Sequence, residues 1–322
     1  MKKVFIILFI ALLNLSAQTN VMQDLLKNVL IKNTQDSINK TENFLKDLEE
    51  NKTLDVLKND FSKLLISWKK VEAFYVAADL NEDIIDTPRY IDIFHNLKEN
   101  LKEHMDRVVD SKDSLEIAMF KHSYKTVNAL EIILYDKDFT HRHRNISKII
   151  LKNILLRLNQ INDTYINKSE RFISEYKWSN DVIINILIDS SFKLRDWRVG
   201  DVAGLSRKYR GKSDNRRAEY YLSSNSFIVI KSILDSHQEV MNSDTYDFGD
   251  MLNDNNYKKE VILIRKSIKS AQDNLKYIKN NDFTNANVKI LYKSLDNLHV
   301  TYYKTLVNAL GVTSKILDAD GD

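Results

Sequence analysis

The chain almost lacks the residues that interrupt helices and form tight turns. It contains one proline and six glycines in 322 residues, whereas strand-rich proteins need turn residues at short intervals. Apolar residues instead recur at helical spacing along most of the chain, and charged residues occupy the opposite faces. The sequence therefore predicts an all-α fold.

Two segments interrupt this helical pattern. Residues 81–95 contain the only proline, and residues 196–221 hold three of the six glycines. Within the second segment we predict an irregular loop at 198–216, which is either a functional loop or a flexible surface linker. The predicted helices span about 20–49, 54–78, 90–111, 113–135, 145–175, 179–197, 217–242, 257–280 and 285–318.

The N-terminus has the pattern of a secretory signal peptide. Lys2 and Lys3 precede ten apolar residues, and small residues follow up to Ala17. We predict a signal peptide at residues 1–17, cleaved after Ala17; a retained N-terminal anchor is the alternative. No stretch approaches the roughly 20 apolar residues of a membrane span, so the mature protein is expected in the periplasm or at the cell surface.

The absence of cysteine and the balance of charged residues exclude some classes of protein function. The chain has no cysteine, which excludes a lipoprotein anchor, disulfides and thiolate metal sites. Removal of the signal peptide leaves 46 basic and 45 acidic residues, and the lysines are scattered. This balance gives no reason to expect a nucleic-acid partner.

We predict a boundary between two halves near residues 174–180. It divides the mature chain into predicted halves 18–177 and 178–322.

Glu131 is the most unusual residue of the first half. It lies in the stretch TVNALEIILYDKD, where apolar residues occupy nearly every other position. Asn128 is three residues earlier and shares its helical face. A carboxylate in such a buried helix has a raised pKa unless a cation or hydrogen-bond donor compensates. Glu131 is therefore either part of a functional site or a structural acid paired with an arginine or a tyrosine hydroxyl.

Four other polar residues are candidates for the same site. Glu72 and Glu219 are acids in apolar or aromatic surroundings; with Glu131 they either converge, as carboxylates do in bundle-core metal sites, or remain separate. Asp92 and His95 are three apart in a predicted helix. They form either a metal-ligand pair, since imidazole and carboxylate suit Zn and Fe, or an ordinary helix-terminal hydrogen bond. The HExxH, phosphate-loop and GxSxG motifs are absent.

Three ordered stretches resemble the imelysin family, secreted helical bacterial proteins that include iron-regulated proteins and an insulin-cleaving metalloproteinase. They are SWKKVEAFYVAADLNEDIIDTPRYIDIFH, TVNALEIILYDKD and DWRVGDVAGLSRKYRGKSDNRRAEYYLSSNSFIVIKSIL. Where the family motif GxHxxE has Gly, His and Glu, this chain has Thr126, Asn128 and Glu131. An Asn carbonyl is a poor substitute for imidazole at zinc or iron. The resemblance implies two helical-bundle halves around a central cleft that Glu131 lines, and a link to iron.

We therefore expect a non-catalytic ligand- or metal-binding protein linked to iron uptake. Its partners would be a metal ion or small ligand, or an envelope iron-uptake protein; a divalent metal or iron is the candidate cofactor. A metal-dependent peptidase and a structural adaptor for a partner protein are the alternatives. Arg198 is the expected counter-ion. The predicted ligand-binding residues are Glu131, Asn128, Glu72, Arg198 and Glu219, and the predicted metal ligands are Glu131, Asp92 and His95.

Overall fold

The all-α prediction is confirmed. The structure is a computed structural model that describes residues 20–95, 99–136, 138–278 and 281–311. Over these ranges the chain forms helices joined by turns, without a strand. The predicted signal peptide and the end of the last predicted helix lie outside the described residues. No helix within the described ranges is long and apolar enough to cross a bilayer.

The numbered α-helices of the first part of the chain follow a helical stretch that begins at residue 20. The first continues directly from a π-helical turn at Leu26–Ile31, and a 3₁₀ turn at His122–Lys125 precedes the seventh. Their bounds are α1 Lys32–Glu49, α2 Leu54–Ala73, α3 Ala77–Leu80, α4 Thr87–Ile91, α5 Leu101–Asp110, α6 Leu115–Ala118, α7 Val127–Leu134 and α8 His141–Asn167.

The second part adds a further set of helices with two π-helical segments, Leu194–Gly200 and Thr301–Leu306. The bounds are α9 Glu170–Ser174, α10 Tyr176–Lys193, α11 Asp201–Ala203, α12 Ser226–Met241, α13 Phe248–Asp254, α14 Lys258–Leu275, α15 Ala286–Val300 and α16 Val307–Leu310.

Helices from both predicted halves share one apolar core. α1 packs against α2 and α8, α2 packs against α12, and α12 in turn packs against α14. The buried apolar side chains form a connected cluster that extends from Val21 to Leu306. The contact between α2 and α12 matters most for the site, because it brings residues far apart in sequence to one place.

The predicted helix at 90–111 is wrong at residues 92–95 and 99–100. α4 ends at Ile91 and α5 begins only at Leu101. Asp92 has extended backbone, and its side chain accepts a hydrogen bond from the Phe94 N–H at 3.0 Å. Such a local side-chain acceptor competes with helix formation. Asp92 and His95, whose φ is +66°, therefore do not share a helical face.

The boundaries around the predicted loop 198–216 also differ from expectation. α10 runs through its π-helical continuation into α11, so Arg198 lies on a helix, and the irregular segment begins at Gly204. The predicted helix at 217–242 begins only at Ser226. The turns before it place Tyr220 and Ser224 at φ of +55° and +58°, a conformation that is uncommon for residues other than glycine.

Candidate functional site

A buried lysine lies at the centre of the candidate site. The Lys69 side chain, on α2, is fully buried. Its Nζ donates hydrogen bonds to Glu72 at 2.7 Å, to Asp92 at 2.6 Å and to Glu219 at 2.6 Å. An ammonium group has three donors and no acceptor, so all three of its hydrogens are used. The surrounding carboxylates raise the pKa of Lys69 despite its burial.

Arg198 supplies a second positive charge to the same carboxylates. It belongs to the π-helical continuation of α10, a type of segment that is frequent at functional sites. Its Nε donates to Glu219 Oε2 at 2.7 Å, and its Nη2 donates to Glu72 Oε2 at 2.9 Å. Burial raises the pKa of Glu219, and the charges of Arg198 and Lys69 oppose that rise. Three carboxylates therefore face two cations.

Asp92 is held from several directions. Its Oδ2 accepts hydrogen bonds from the Tyr220 hydroxyl and, at 3.3 Å, from the Trp68 indole. Burial disfavours the ionised form of Asp92, but the Lys69 charge and the hydrogen bonds from Lys69, Tyr220 and the Phe94 N–H lower its pKa well below the usual range. We call this group the lysine centre; its members are Lys69, Glu72, Asp92, Arg198, Glu219 and Tyr220.

Glu131 lies on α7 and is paired with a serine. Thr126 caps this helix, because its hydroxyl accepts a hydrogen bond from the Ala129 N–H. Glu131 Oε1 accepts two hydrogen bonds from Ser223, from the N–H at 2.8 Å and from the hydroxyl at 2.6 Å. Burial raises the pKa of Glu131 to about 7; the Ser223 bonds oppose the rise, and the charges of Glu219 and Asp92 add to it.

Asn128 and His95 have separate local roles. The Asn128 side-chain carbonyl accepts a hydrogen bond from the Ile93 N–H at 2.8 Å, which ties α7 to the segment after α4. His95 Nε2 lies 3.1 Å from Asp201 Oδ2. Its ring stacks on Trp197 with centroids 4.4 Å apart and planes 1° apart. Both residues thus have partners outside the lysine centre.

The predicted ligand-binding acids are therefore brought together only in part. Glu72 and Glu219 meet, joined by Asp92, and Arg198 is the counter-ion of the two glutamates rather than of Glu131. Glu131 belongs to a neighbouring pair with Ser223. The proposed metal set of Glu131, Asp92 and His95 does not form a cluster among the described residues. The acids that come within ligand reach there are Glu72, Asp92 and Glu219.

Comparison with known proteins identifies the family. The profile of the peptidase M75 family, imelysin, matches residues 25–301. The chain belongs to the imelysin family. No curated protein matches it.

Two solved structures share the imelysin fold. An imelysin-like protein from Psychrobacter arcticum 273-4 is similar with a TM-score of 0.75 and 14% identity, over 94% of this chain and 98% of that chain. A protein from Parabacteroides distasonis ATCC 8503, named as an iron-regulated protein A precursor, is similar with a TM-score of 0.69 and 10% identity, over 89% and 93%. At such identities the likeness shows the fold alone.

The donor set of this imelysin-family centre does not fit a catalytic metal. Ligand oxygens of Glu72, Asp92 and Glu219 lie within 4.8 Å of one another, and carboxylates suit hard cations. Each of the three, however, is bonded to the Lys69 ammonium. A metallopeptidase needs a metal with an open position for an activated water. The ammonium occupies the position between the three carboxylates that such an ion would take.

Three members of the site were missed from the sequence. Lys69 resembles the many lysines of solvated helix faces, Tyr220 resembles a packing aromatic, and Ser223 is one serine among several. For Lys69 a signal existed: it directly follows Trp68 and lies three residues before Glu72, the spacing that places two side chains on one helical face. No local signal identifies the other two, because their partners are more than 90 residues away.

Proposed function

We propose that the protein is a secreted or periplasmic imelysin-family protein that binds a ligand in iron uptake and does not cleave peptides. Three points support the link to the envelope and to iron: the family itself, the signal-peptide pattern of residues 1–17, and the name of the Parabacteroides relative. The proposal for this chain rests mainly on the chemistry of the lysine centre.

The saturated ammonium of Lys69 carries the argument against hydrolysis. Its three hydrogen bonds of 2.6–2.7 Å place an ammonium group, rather than a metal ion, between the oxygens that Glu72, Asp92 and Glu219 turn towards one another. The position of the motif histidine is held by Asn128, whose carbonyl is bonded to the backbone. A metal ion at this centre would have to displace the ammonium before it could activate a water as in metallopeptidases.

A ligand would meet this centre at Glu72. The Glu72 side chain is 26% exposed, whereas those of Asp92 and Glu219 are nearly inaccessible. Glu72 also accepts from both Lys69 and Arg198. A polar ligand that contacts Glu72 therefore changes the hydrogen bonding of both cations. Glu131, whose pKa depends on Glu219 and Asp92, is the second group expected to respond.

A thermal-shift screen of residues 18–322 tests the binding proposal. The probes are Fe²⁺, ferric citrate, Zn²⁺, Cu²⁺ and haem, because a ligand that binds the native state raises the melting temperature by mass action. We expect a shift with an iron probe that is lost in Glu72→Gln and weakened in Glu131→Gln. The absence of any shift with the iron probes would contradict the proposal.

A control variant distinguishes ligand binding at the lysine centre from ligand binding in a separate cavity. A cavity of about 570 Å³ is lined by acids of the first helical turns and of the segment after α12, including Asp24 and Asp244, and by no member of the lysine centre. Asp244→Asn should leave the iron response unchanged. A response that is lost in Asp244→Asn and kept in Glu72→Gln would place the ligand in this cavity and would refute the role of Glu72.

A peptidase assay tests the non-catalytic part of the proposal. The mature protein is incubated with unfolded casein, with and without a chelator. We expect no cleavage that the chelator abolishes. Chelator-sensitive cleavage that is absent from a Glu131→Gln preparation would establish the metallopeptidase alternative instead.

A further inference from the structure

The hydrogen bonds of Lys69 have the geometry of a coordinated cation. Three carboxylate oxygens from three separate chain segments surround one nitrogen at 2.6–2.7 Å. Ca²⁺ binds oxygen at about 2.3–2.6 Å, and the smaller Mg²⁺ binds it at about 2.0–2.1 Å. The ammonium of Lys69 thus sits in an oxygen cage close to the size that suits a calcium ion.

The cage is held in shape by groups other than Lys69. Arg198 bonds both Glu72 and Glu219, and the Tyr220 hydroxyl, the Trp68 indole and the Phe94 N–H all donate to Asp92. These bonds fix the carboxylate oxygens independently of the ammonium. If the Lys69 side chain were shortened, the oxygens would therefore remain near their positions around the space that Nζ had occupied.

The charges favour a divalent ion in that opening. In the wild-type protein the three carboxylates face Lys69 and Arg198, which leaves a formal charge of −1 at the centre. Replacement of the ammonium by a divalent cation would bring the formal charge to zero. A buried charge that lacks compensation is expensive, so the centre without its lysine should select a divalent over a monovalent ion.

We infer that Lys69 is a built-in cation that takes the place of a metal in a tricarboxylate site, and that this site binds Ca²⁺ or Mn²⁺ once the ammonium is removed. Hard oxygen ligands of this kind suit Ca²⁺ and Mn²⁺ better than Zn²⁺ or Cu²⁺. The inference goes beyond the proposed function, because it holds whether or not the protein binds an iron ligand at Glu72.

Two variants at one position test the inference. Lys69→Ala removes the ammonium and opens the cage, whereas Lys69→Met removes the charge but fills the space with a side chain of similar length. Melting temperatures are measured with millimolar CaCl₂ or MnCl₂ against NaCl of equal ionic strength. For Lys69→Ala we expect an increase of about 5 °C or more with the divalent ions. Lys69→Met and the wild-type protein should show no comparable increase.

A refolding experiment tests the inference if Lys69→Ala is unfolded in the absence of metal. The variant is then refolded from urea in the presence of CaCl₂ or of EDTA, and far-UV circular dichroism measures the recovered helix. Recovery with Ca²⁺ alone supports the inference. It is overturned if Ca²⁺ affects Lys69→Ala no more than Lys69→Met, if Lys69→Ala fails to fold under every condition, or if the wild-type protein binds Ca²⁺ or Mn²⁺ in a manner that Glu219→Gln abolishes.

Discussion

Glu131 and Asp92 are both buried carboxyl groups, yet their surroundings shift their pKa values in opposite directions. Burial raises the pKa of Glu131 from 4.5 to about 7, whereas Lys69 and several hydrogen bonds lower that of Asp92 below 3.8. The folded protein therefore holds an extra proton on Glu131 between pH 4.5 and 7, and its stability falls as the pH rises through that window. The stabilisation from Asp92 is present above pH 3.8 and is lost as the pH falls further.

The Glu131→Gln variant should remove the first of these two effects. The amide oxygen can still accept both hydrogen bonds from Ser223 but carries no charge at high pH. At pH 8 we expect Glu131→Gln to be more stable than the wild-type protein by up to about 3 kcal/mol, and at pH 4.5 to be about equal to it. Urea unfolding at a series of pH values measures the difference.

The matched variant for this experiment is Glu131→Leu. It leaves the Ser223 N–H without its acceptor and leaves the Ser223 hydroxyl only the longer bond to the Tyr220 carbonyl at 3.2 Å, so it should be less stable than Glu131→Gln at every pH, by about 1–3 kcal/mol. If the stabilities of the wild-type protein and Glu131→Gln follow parallel pH profiles, the raised pKa of Glu131 is refuted.

At the residue scale the sequence identified acids more readily than their partners. Glu72, Glu131 and Glu219 were found because a carboxylate among apolar residues conflicts with its local surroundings. Lys69 was not found, because its three partners are supplied by α2, by the segment after α4 and by the turns before α12. The identity of a buried counter-ion depends on tertiary contacts and cannot be read from helical spacing.

The segment after α11 is a packed element rather than a loose linker. Gly204 has a φ of +68°, and a Cβ placed there would lie 2.7 Å from the backbone nitrogen of Ser213. Gly204 O also accepts from the Gly211 N–H at 2.8 Å, and Val202 O accepts from the Asp214 N–H at 2.9 Å. These contacts fold the segment back on itself just before Glu219, so they help to position that carboxylate.

Gly204→Ala should therefore destabilise the protein more than Gly211→Ala. Both glycines have positive φ, but a Cβ at Gly211 would meet nothing within 4 Å. We expect a loss of about 1 kcal/mol for Gly211→Ala from backbone strain alone, and of about 2–4 kcal/mol for Gly204→Ala, where steric overlap adds to the strain. Urea unfolding compares the two. Equal losses would mean that the segment moves freely, as the surface-linker interpretation of the sequence requires.

Helical periodicity predicted most of the helices, but it did not predict the non-helical stretches that carry site residues. Between residues 20 and 49 the chain is helical, as predicted. The predicted helices at 90–111 and 217–242 each include a non-helical stretch that carries site residues, Asp92 in one and Glu219 in the other. In both, the backbone is fixed by side-chain hydrogen bonds and positive φ values rather than by apolar spacing. Such local exceptions are expected where a fold builds a polar site.

At the scale of the whole molecule, polar and apolar contacts join the two predicted halves. The hydrogen bond from Lys69 to Glu219 links residues 150 apart, and the one from Ser223 to Glu131 links residues 92 apart. α2 packs against α12 within the same connected core. The scarcity of proline and glycine in the sequence indicated the all-α class. The boundary predicted near residues 174–180 was placed from the sequence alone, and the sequence carries no information about these tertiary contacts.

We therefore expect residues 18–177 and 178–322 to unfold together. Far-UV circular dichroism reports on helices throughout the chain, while tryptophan fluorescence reports on Trp68 in the first half and on Trp178 and Trp197 in the second. The urea midpoints from the two probes should coincide, as in a two-state transition.

Glu219→Gln provides the decisive comparison, because it weakens a charge-assisted contact between the halves. The loss of one partner from a buried ionic group costs about 3–5 kcal/mol, so both probes should move to lower urea by the same amount if the halves depend on each other. Separate midpoints in the wild-type protein, or a shift of one probe alone in Glu219→Gln, would show that the halves are independent folding units. In that case the lysine centre would join two preformed domains and would not be part of a common core.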